Sequence, residues 1–354
     1  MKYLIIGNGF DLAHDLPTSY SDFLFFLKHI NDVNLYIEKK DWPPEFEKYF
    51  NNPYRINKDE FKRLIELASS NLWVYYFAHC NAEIQGWIDM EREMIPVAEL
   101  IDWVIVNASK SQTRRHEDGT SDMYISECPA NYVRIASVLP DFFECKINSK
   151  NIKIKPKYCN YQYGLLYQKM LDEVRGDLVK FIEIFRIYLN QFVETHDIKL
   201  MPIISSMNVD RVLSFNYIST EKNYDNLKDL NICHVHGYSS KDDSIVLGVN
   251  ELKQDNTNRC IFMVKYYQRL VKRADISYKS MPKGDYSVTV FGHSLDVTDS
   301  DVLEPILKRA KIIEVYYYDE SDREKKIVNL ISLLTKDDIE KRIYHGFLSF
   351  KKIK

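Results

Sequence analysis

The sequence predicts an α/β fold: a mostly parallel sheet, covered by helices on both faces and interrupted by one large helical insertion. Short apolar runs carry the sheet. They are Tyr3 to Ile6, Arg211 to Phe215, Asn231 to Val235, Ser244 to Gly248, Tyr286 to Phe291 and Ile312 to Tyr318. After Pro202 they alternate with helical patterns, the rhythm of a parallel sheet of about five or six strands. From about residue 40 to Pro202, by contrast, apolar residues recur at three- and four-residue spacing and β-branched runs are few. That is the insertion.

Four segments follow. Residues 1–40 hold the first strand and helix of the sheet domain, and 41–205 the helical insertion. Residues 206–320 hold the remainder of the sheet domain, and 321–354 a C-terminal helix and tail. Thr18 or Ser19 can cap the first helix, whose apolar side includes Phe23, Phe26, Leu27 and Ile30, and Trp42-Pro43-Pro44 ends it. In the insertion, Phe61 to Leu67, Leu72 to Ile105 and Tyr163 to Phe192 read as helices, and Ser109 to Gly119 as a mobile polar loop. Thr257 to Lys272 reads as a further helix.

Composition narrows the function classes. With 354 residues, 45% hydrophobic and 28% charged, the chain can bury a sizeable core and has no disorder signature. A net charge of −3 gives no general attraction to nucleic acid or anionic membrane. No signal peptide and no membrane span are expected. The six cysteines are scattered without a C-x-x-C pair, against a zinc module or disulfide framework and in keeping with the cytoplasm.

Three glycine-containing stretches each follow a predicted strand. Ile6-Gly7-Asn8-Gly9-Phe10-Asp11 passes directly into a helical pattern, as where α/β folds bring backbone N–H groups to a phosphate. Leu12 stands where a full dinucleotide fingerprint needs its third glycine, so a tight turn alone also accounts for the pattern. The other two are Val235-His236-Gly237 and Phe291-Gly292-His293-Ser294-Leu295-Asp296. A parallel sheet binds ligands beyond the carboxyl ends of its strands, so one edge can gather all three.

Ile6 to His14 followed by Leu16-Pro17-Thr18-Ser19-Tyr20 resembles the opening of the AbiH family of bacterial abortive-infection proteins. Trp87-Ile88-Asp89-Met90-Glu91 is similar to that family's Trp-x-Asp-x-Glu helix. Ser214-Phe215-Asn216-Tyr217, His234-Val235-His236-Gly237, Val246-Leu247-Gly248 and Gly292-His293-Ser294-Leu295 resemble its later blocks, in order. Ile218 departs from the Thr that usually follows the Asn-Tyr pair. The family in turn resembles the sirtuins and sirtuin-like NAD hydrolases of phage defence. The resemblance implies a Rossmann-like fold and NAD as substrate or ligand, with Asn216, His236, Gly237, Gly292, Ser294 and Leu295 at pocket positions. It implies NAD cleavage rather than deacylation, because the four-cysteine zinc module is missing; no metal is expected. Expected partners are NAD or a related dinucleotide, a phage-derived or protein trigger, and further copies of the chain.

The chemistry asks for little. Nicotinamide leaves neutral, so no general acid is needed; an oxocarbenium-like transition state must be stabilised and a water or ribose hydroxyl oriented. Asn216 would hold the water and ribose hydroxyls, and His236 would be the base. For either residue alone, a strand-ending Asx turn or a core histidine is the plainer reading. Asn8 and Gly9 would offer N–H groups to the pyrophosphate, and Ser294 and Asp296 would bond the adenosine ribose. Asp11 would complement a helix start or accept a ribose hydroxyl. His234 is expected to pack under the site, and one of Asp89 and Glu91 to reach the cleft.

Two rivals remain. Gly292 to Asp296 resembles a serine-hydrolase elbow, with Ser294, Asp319 and His345 in the Ser-Asp-His order, although Asp296 stands where the elbow needs a small residue. A nucleotide-sensing scaffold without turnover is the non-enzymatic reading.

Overall fold

The computed structural model describes residues 1–30, 57–79, 87–115, 117, 121–145, 150–160, 162–250, 252, 259–275, 277–280 and 284–353. The chain opens with β1 (Lys2–Ile6), α1 (Asn8–Leu12) and α2 (Tyr20–Lys28). Its middle part contains α3 (Lys58–Ala68), α4 (Leu72–His79), α5 (Trp87–Asn107), β2 (Gln112–Arg115), β3 (Ser121–Ile125) and α6 (Ala130–Ser137). There follow β4 (Phe143–Glu144), β5 (Ile152–Ile154), β6 (Cys159–Asn160), β7 (Gly164–Leu165) and α7 (Tyr167–Tyr188). Next come α8 (Pro202–Ser205), β8 (Arg211–Ser214), β9 (Asn231–His234), α9 (Lys265–Val271) and β10 (Ser287–Phe291). The chain closes with α10 (Ser300–Arg309), β11 (Ile312–Tyr317), α11 (Glu320–Leu333), α12 (Lys336–Tyr344) and β12 (Leu348–Lys352).

The main sheet has six strands in the order β12-β11-β10-β1-β8-β9, every neighbouring pair parallel. β1 is central, and the chain winds outward from it first through β8 and β9, then through β10, β11 and β12. The direction reverses between β1 and β10. Open α/β sheets take ligands at such a reversal, outside the strand carboxyl ends. Register brings those ends level: Ile6 faces Phe291 on one side and Ser214 on the other, and Ser214 faces His234.

Alternation along β1 accounts for its burial on both faces. Tyr3 and Ile5 enter one layer with Val302, Leu303 and Ile306 of α10 and Leu330 of α11. Leu4 and Ile6 enter the other, with Phe10, Ile204 and Leu227. A third core belongs to the insertion, and α2 packs into it: Phe23 lies 5.0 Å from Phe185 and Phe26 4.9 Å from Tyr188, ring to ring. Ser19 caps α2, its hydroxyl accepting from the Asp22 amide while the Asp22 carboxylate accepts from the Ser19 amide.

Several expectations need correction. Ser244 to Gly248 forms no strand. Ile245 and Leu247 are buried in the insertion's core, with only an isolated bridge from Val249 to Val264 beside them. The 321–354 segment holds two helices and an edge strand rather than a helix and tail. The 41–205 segment is not wholly helical: it carries a four-stranded antiparallel sheet, β2-β3-β5-β4, and the β6-β7 pair. β2 lies in the stretch read as a polar loop. The Trp42-Pro43-Pro44 stop and the start of the Thr257 helix lie outside the described residues.

Candidate functional site

The site forms where β1, β8 and β10 end. Gly7 ends β1, and a Cβ there would meet His293 Cδ2 at 2.8 Å; one on Gly9 would meet the Gly292 oxygen at 2.8 Å. Gly292 has φ +69°, and its Cβ would sit 2.0 Å from the Phe10 nitrogen. Two backbone turns therefore touch, and glycine is what permits it. Their contact is fixed by the Gly9 N–H, which donates to the Gly292 carbonyl at 2.7 Å. That amide is thereby occupied, so the expected pair of phosphate-facing N–H groups reduces to Asn8.

A cavity of about 180 Å³ opens beside this contact. Gly7, Asn8, Gly9, Asp11, Asn216, His236, Gly292 and Ser294 all line it. Thr18 before α2, Phe215, Tyr217 and Ile218 from the segment after β8, Phe185 and Leu189 at the end of α7, and Glu91, Lys265, His293 and Asp299 complete the wall. Leu189 begins a π-helical turn (Leu189–Val193), the kind of helix irregularity often found at functional sites.

Polar groups at the wall fall into two sets. One is poorly satisfied: both amide atoms of Asn216, Nδ1 of His236 and Oδ1 of Asp11 are buried without a hydrogen bond of good geometry, the Asp11 carboxyl having the Thr220 hydroxyl and the Asn216 amide near it. Buried polar groups are nearly always paired in folded proteins, so these four atoms in one cavity are informative. The other set is a charge chain. His236 Nε2 lies 3.0 Å from Asp299 Oδ1, Lys265 Nζ lies 3.3 Å from the same oxygen, and Lys265 Nζ lies 2.8 Å from Glu91 Oε2. His293 Nε2 stands 3.7 Å from Asp299 Oδ2, and the Leu295 amide donates to His293 Nδ1 at 2.9 Å. Phe215 packs edge-on against both imidazoles.

Burial sets the electrostatics. It lowers His236 to about 4, with Lys265 adding to the effect and Asp299 opposing it, and lowers His293 to about 4 as well. Both rings are neutral at pH 7. Burial alone would raise Asp299, yet Lys265 and His236 hold it well below the usual carboxylate range. Burial lowers Lys265, but the Asp299 and Glu91 carboxylates outweigh it and leave the ammonium more basic than usual. Glu91 is pushed up to about 7 by burial against the pull of Lys265. Asp11 is raised well above its ordinary value by burial, with Glu221 adding repulsion.

Of the residues placed at the pocket from sequence, Gly237, Leu295 and Asp296 are not among those lining the cavity. Gly237 has φ +72° and turns the chain tightly against Ser244. Asp296 accepts from the Thr298 amide at 3.0 Å and pairs with Arg92 at 3.4 Å. His234 is buried, 3.5 Å from Glu221. Glu91 is the acidic residue of its pair that reaches the cavity; the Asp89 side chain lies outside the described residues. The serine-hydrolase arrangement is not assembled. Ser294 is exposed, the left-handed residue of the turn is Leu295, Asp319 caps α11 and the exposed His345 ends α12. No hydrogen bond joins either to Ser294 among the described residues. Sequence reading missed Lys265 and Asp299. Asp299 carries a faint signal, a second carboxylate in the loop after β10; Lys265 carries none.

Among the described residues, no group of three or more His, Cys, Asp or Glu can hold a metal ion, and no helix is long and apolar enough to cross a membrane. Among known families, the one described as Bacteriophage abortive infection AbiH matches residues 3–318. No curated protein and no solved structure matches the chain.

Proposed function

Given that the chain belongs to the AbiH family of bacteriophage abortive infection, we propose that it is a phage-defence effector that binds NAD in this cavity and hydrolyses it to nicotinamide and ADP-ribose. One observation carries the reading: Asn216 and His236, buried and with poorly satisfied polar atoms, line the same cavity as the Gly7-Asn8-Gly9 and Gly292 turns. The strand order, central first strand and reversal beside it, is that of Rossmann-like dinucleotide-binding sheets. This supports a dinucleotide, and the resemblance to sirtuin-like hydrolases supports NAD.

The Asn216 amide offers a donor and an acceptor for the attacking water and the ribose hydroxyls. The His236 ring, neutral at pH 7 and turned with Nε2 toward the Asp299 carboxylate, takes the proton from the attacking oxygen on Nδ1. The leaving nicotinamide needs no proton. Asp11, which lines the cavity with Asn8, suits a ribose hydroxyl, and exposed Ser294 suits the outer part of the ligand. At about 180 Å³ the cavity is below the ~300 Å³ at which small-molecule sites usually begin. It corresponds to the reacting end of a dinucleotide rather than the whole. The cytoplasm and a homo-oligomer are parts of the same proposal.

One observation favours a ligand-sensing scaffold as second reading. Ile218, 2% exposed, makes an apolar wall in the cavity, where it can pack on a ligand and contribute no polar group to turnover.

Purified protein incubated with NAD or NADP should release nicotinamide. His236→Ala and Asn216→Ala should each lower kcat about a hundredfold or more, with ligand affinity far less affected. Ser294→Ala should retain turnover, with any loss in KM. A dead Ser294→Ala beside a fully active His236→Ala would reject the mechanism. No turnover by wild type, with dinucleotide still bound, would favour the scaffold.

A further inference from the structure

We propose that Asp299 is the positioning residue of His236, and that Lys265 and Glu91 tie its hold to the helical insertion; this rests on reading His236 as the base of the site. The geometry comes from three separate elements. Asp299 sits in the turn before α10, Lys265 opens α9, and Glu91 belongs to α5. All three are buried.

A carboxylate only accepts, so the 3.0 Å contact obliges His236 to donate from Nε2. The lone pair of the neutral ring is then fixed on Nδ1, the atom that has no protein partner in a side chain lining the cavity. Without Asp299 both tautomers are open. Part of the population would then carry a hydrogen on Nδ1, where the base is needed. Lys265 supplies the charge that keeps Asp299 ionised, through the 3.3 Å contact, and Glu91 holds Lys265 at 2.8 Å. A Lys-carboxylate pair would satisfy its own charges without an imidazole. The imidazole shares the same Asp299 oxygen, Oδ1, with Lys265, and this makes the chain an orienting device for the ring.

His293 provides an internal control. Its Nδ1 accepts the Leu295 amide at 2.9 Å, so the backbone fixes its tautomer independently of Asp299.

The test reads tautomers by nitrogen NMR of the full-length protein labelled with ¹⁵N-histidine, at pH 7. His236→Gln and His293→Gln identify the two rings. In wild type both rings should show a protonated Nε2 and a bare Nδ1. In Asp299→Ala, His236 should become a mixture of tautomers while His293 is unchanged. A wild-type His236 with its proton on Nδ1 overturns the proposal, and this needs no variant to fold. A His236 that stays wholly Nε2-protonated in folded Asp299→Ala also overturns it. In the nicotinamide-release assay, Asp299→Ala should lose about tenfold or more in kcat with KM within about threefold, since it removes the hold on the tautomer and also the carboxylate that stabilises the imidazolium formed when the base takes its proton. An Asp299→Ala that turns over like wild type overturns the proposal. Absence of any wild-type turnover, with the tautomers as expected, rejects the hydrolysis reading and leaves the orienting contact standing.

Discussion

Gly292→Ala tests whether the contact of two backbone turns is what builds the site. Two costs are separable. At φ +69° an added side chain occupies the left-handed region, worth roughly 1–2 kcal/mol. The new Cβ would also lie 2.0 Å from the Phe10 nitrogen and 2.5 Å from the Gly9 carbonyl carbon. Relieving this requires parting the turns by about an ångström or more, which costs about 1–3 kcal/mol as overpacking and strains the Gly9-to-Gly292 hydrogen bond. The total is about 2–5 kcal/mol. Gly346→Ala isolates the first cost, because Gly346 has φ +71° and nothing within 4 Å of its Cβ. Gly284→Ala isolates neither, having open space and no left-handed backbone, and should be near neutral. Urea unfolding of the three variants, followed by tryptophan fluorescence, gives the comparison. If Gly292→Ala loses no more than Gly346→Ala, close approach of the β1 and β10 turns does not explain the glycine.

Three further outcomes are expected. Gly176→Ala, in the interior of α7 with open space around it, should stabilise the protein by about 0.5–1 kcal/mol in the same assay; a loss would contradict the helix. Lys265→Met leaves buried Asp299 and Glu91 without their cation and should cost about 3–5 kcal/mol; less than about 1 kcal/mol would mean that the chain is not the buried charge network described. Glu221→Gln bears on pH. Burial raises the Glu221 carboxyl from 4.5 to about 7, so the folded state holds its proton where the unfolded chain has released it. Such a group contributes stability below pH 4.5 that is lost as pH rises through 7. Relative to wild type, the variant should therefore gain stability across that window, up to about 3 kcal/mol at pH 8, by urea titration at several pH values. A constant difference between the two would refute the buried, protonated carboxyl.

The parts of the fold legible in the sequence are those where local pattern and burial coincide. β1, β8, β9, β10 and β11 are apolar runs ending at turn residues, within a residue or so of the expected bounds. Ser244 to Gly248 misled because a buried apolar run has the same composition whether it pairs in a sheet or fills a core; Ile245 and Leu247 do the latter. β12 was missed for the opposite reason. It is an edge strand, and Lys351 and Lys352 give it the charged character that edges carry. At the site, residues directly after strand ends were legible because the sheet brings those ends level. Asp299, Lys265 and Glu91 meet only through the packing of the insertion on the sheet, and no local pattern records that meeting.

The central position of β1 has a consequence for biosynthesis. It leaves the ribosome before every other strand of its sheet, yet its two neighbours, β8 and β10, begin at Arg211 and Ser287. At about 5–20 residues per second, the nascent chain carries this strand unpaired for about 10–40 s before β8 exists, and longer before β10 does. Four of its five residues are apolar and end up wholly or almost wholly buried. The insertion cannot settle early either, since its core takes in Ile245, Leu247 and Met263 from beyond β9. Translation therefore runs well ahead of any closed core, and the yield of native protein in a cell should depend strongly on the chaperones that hold nascent chains.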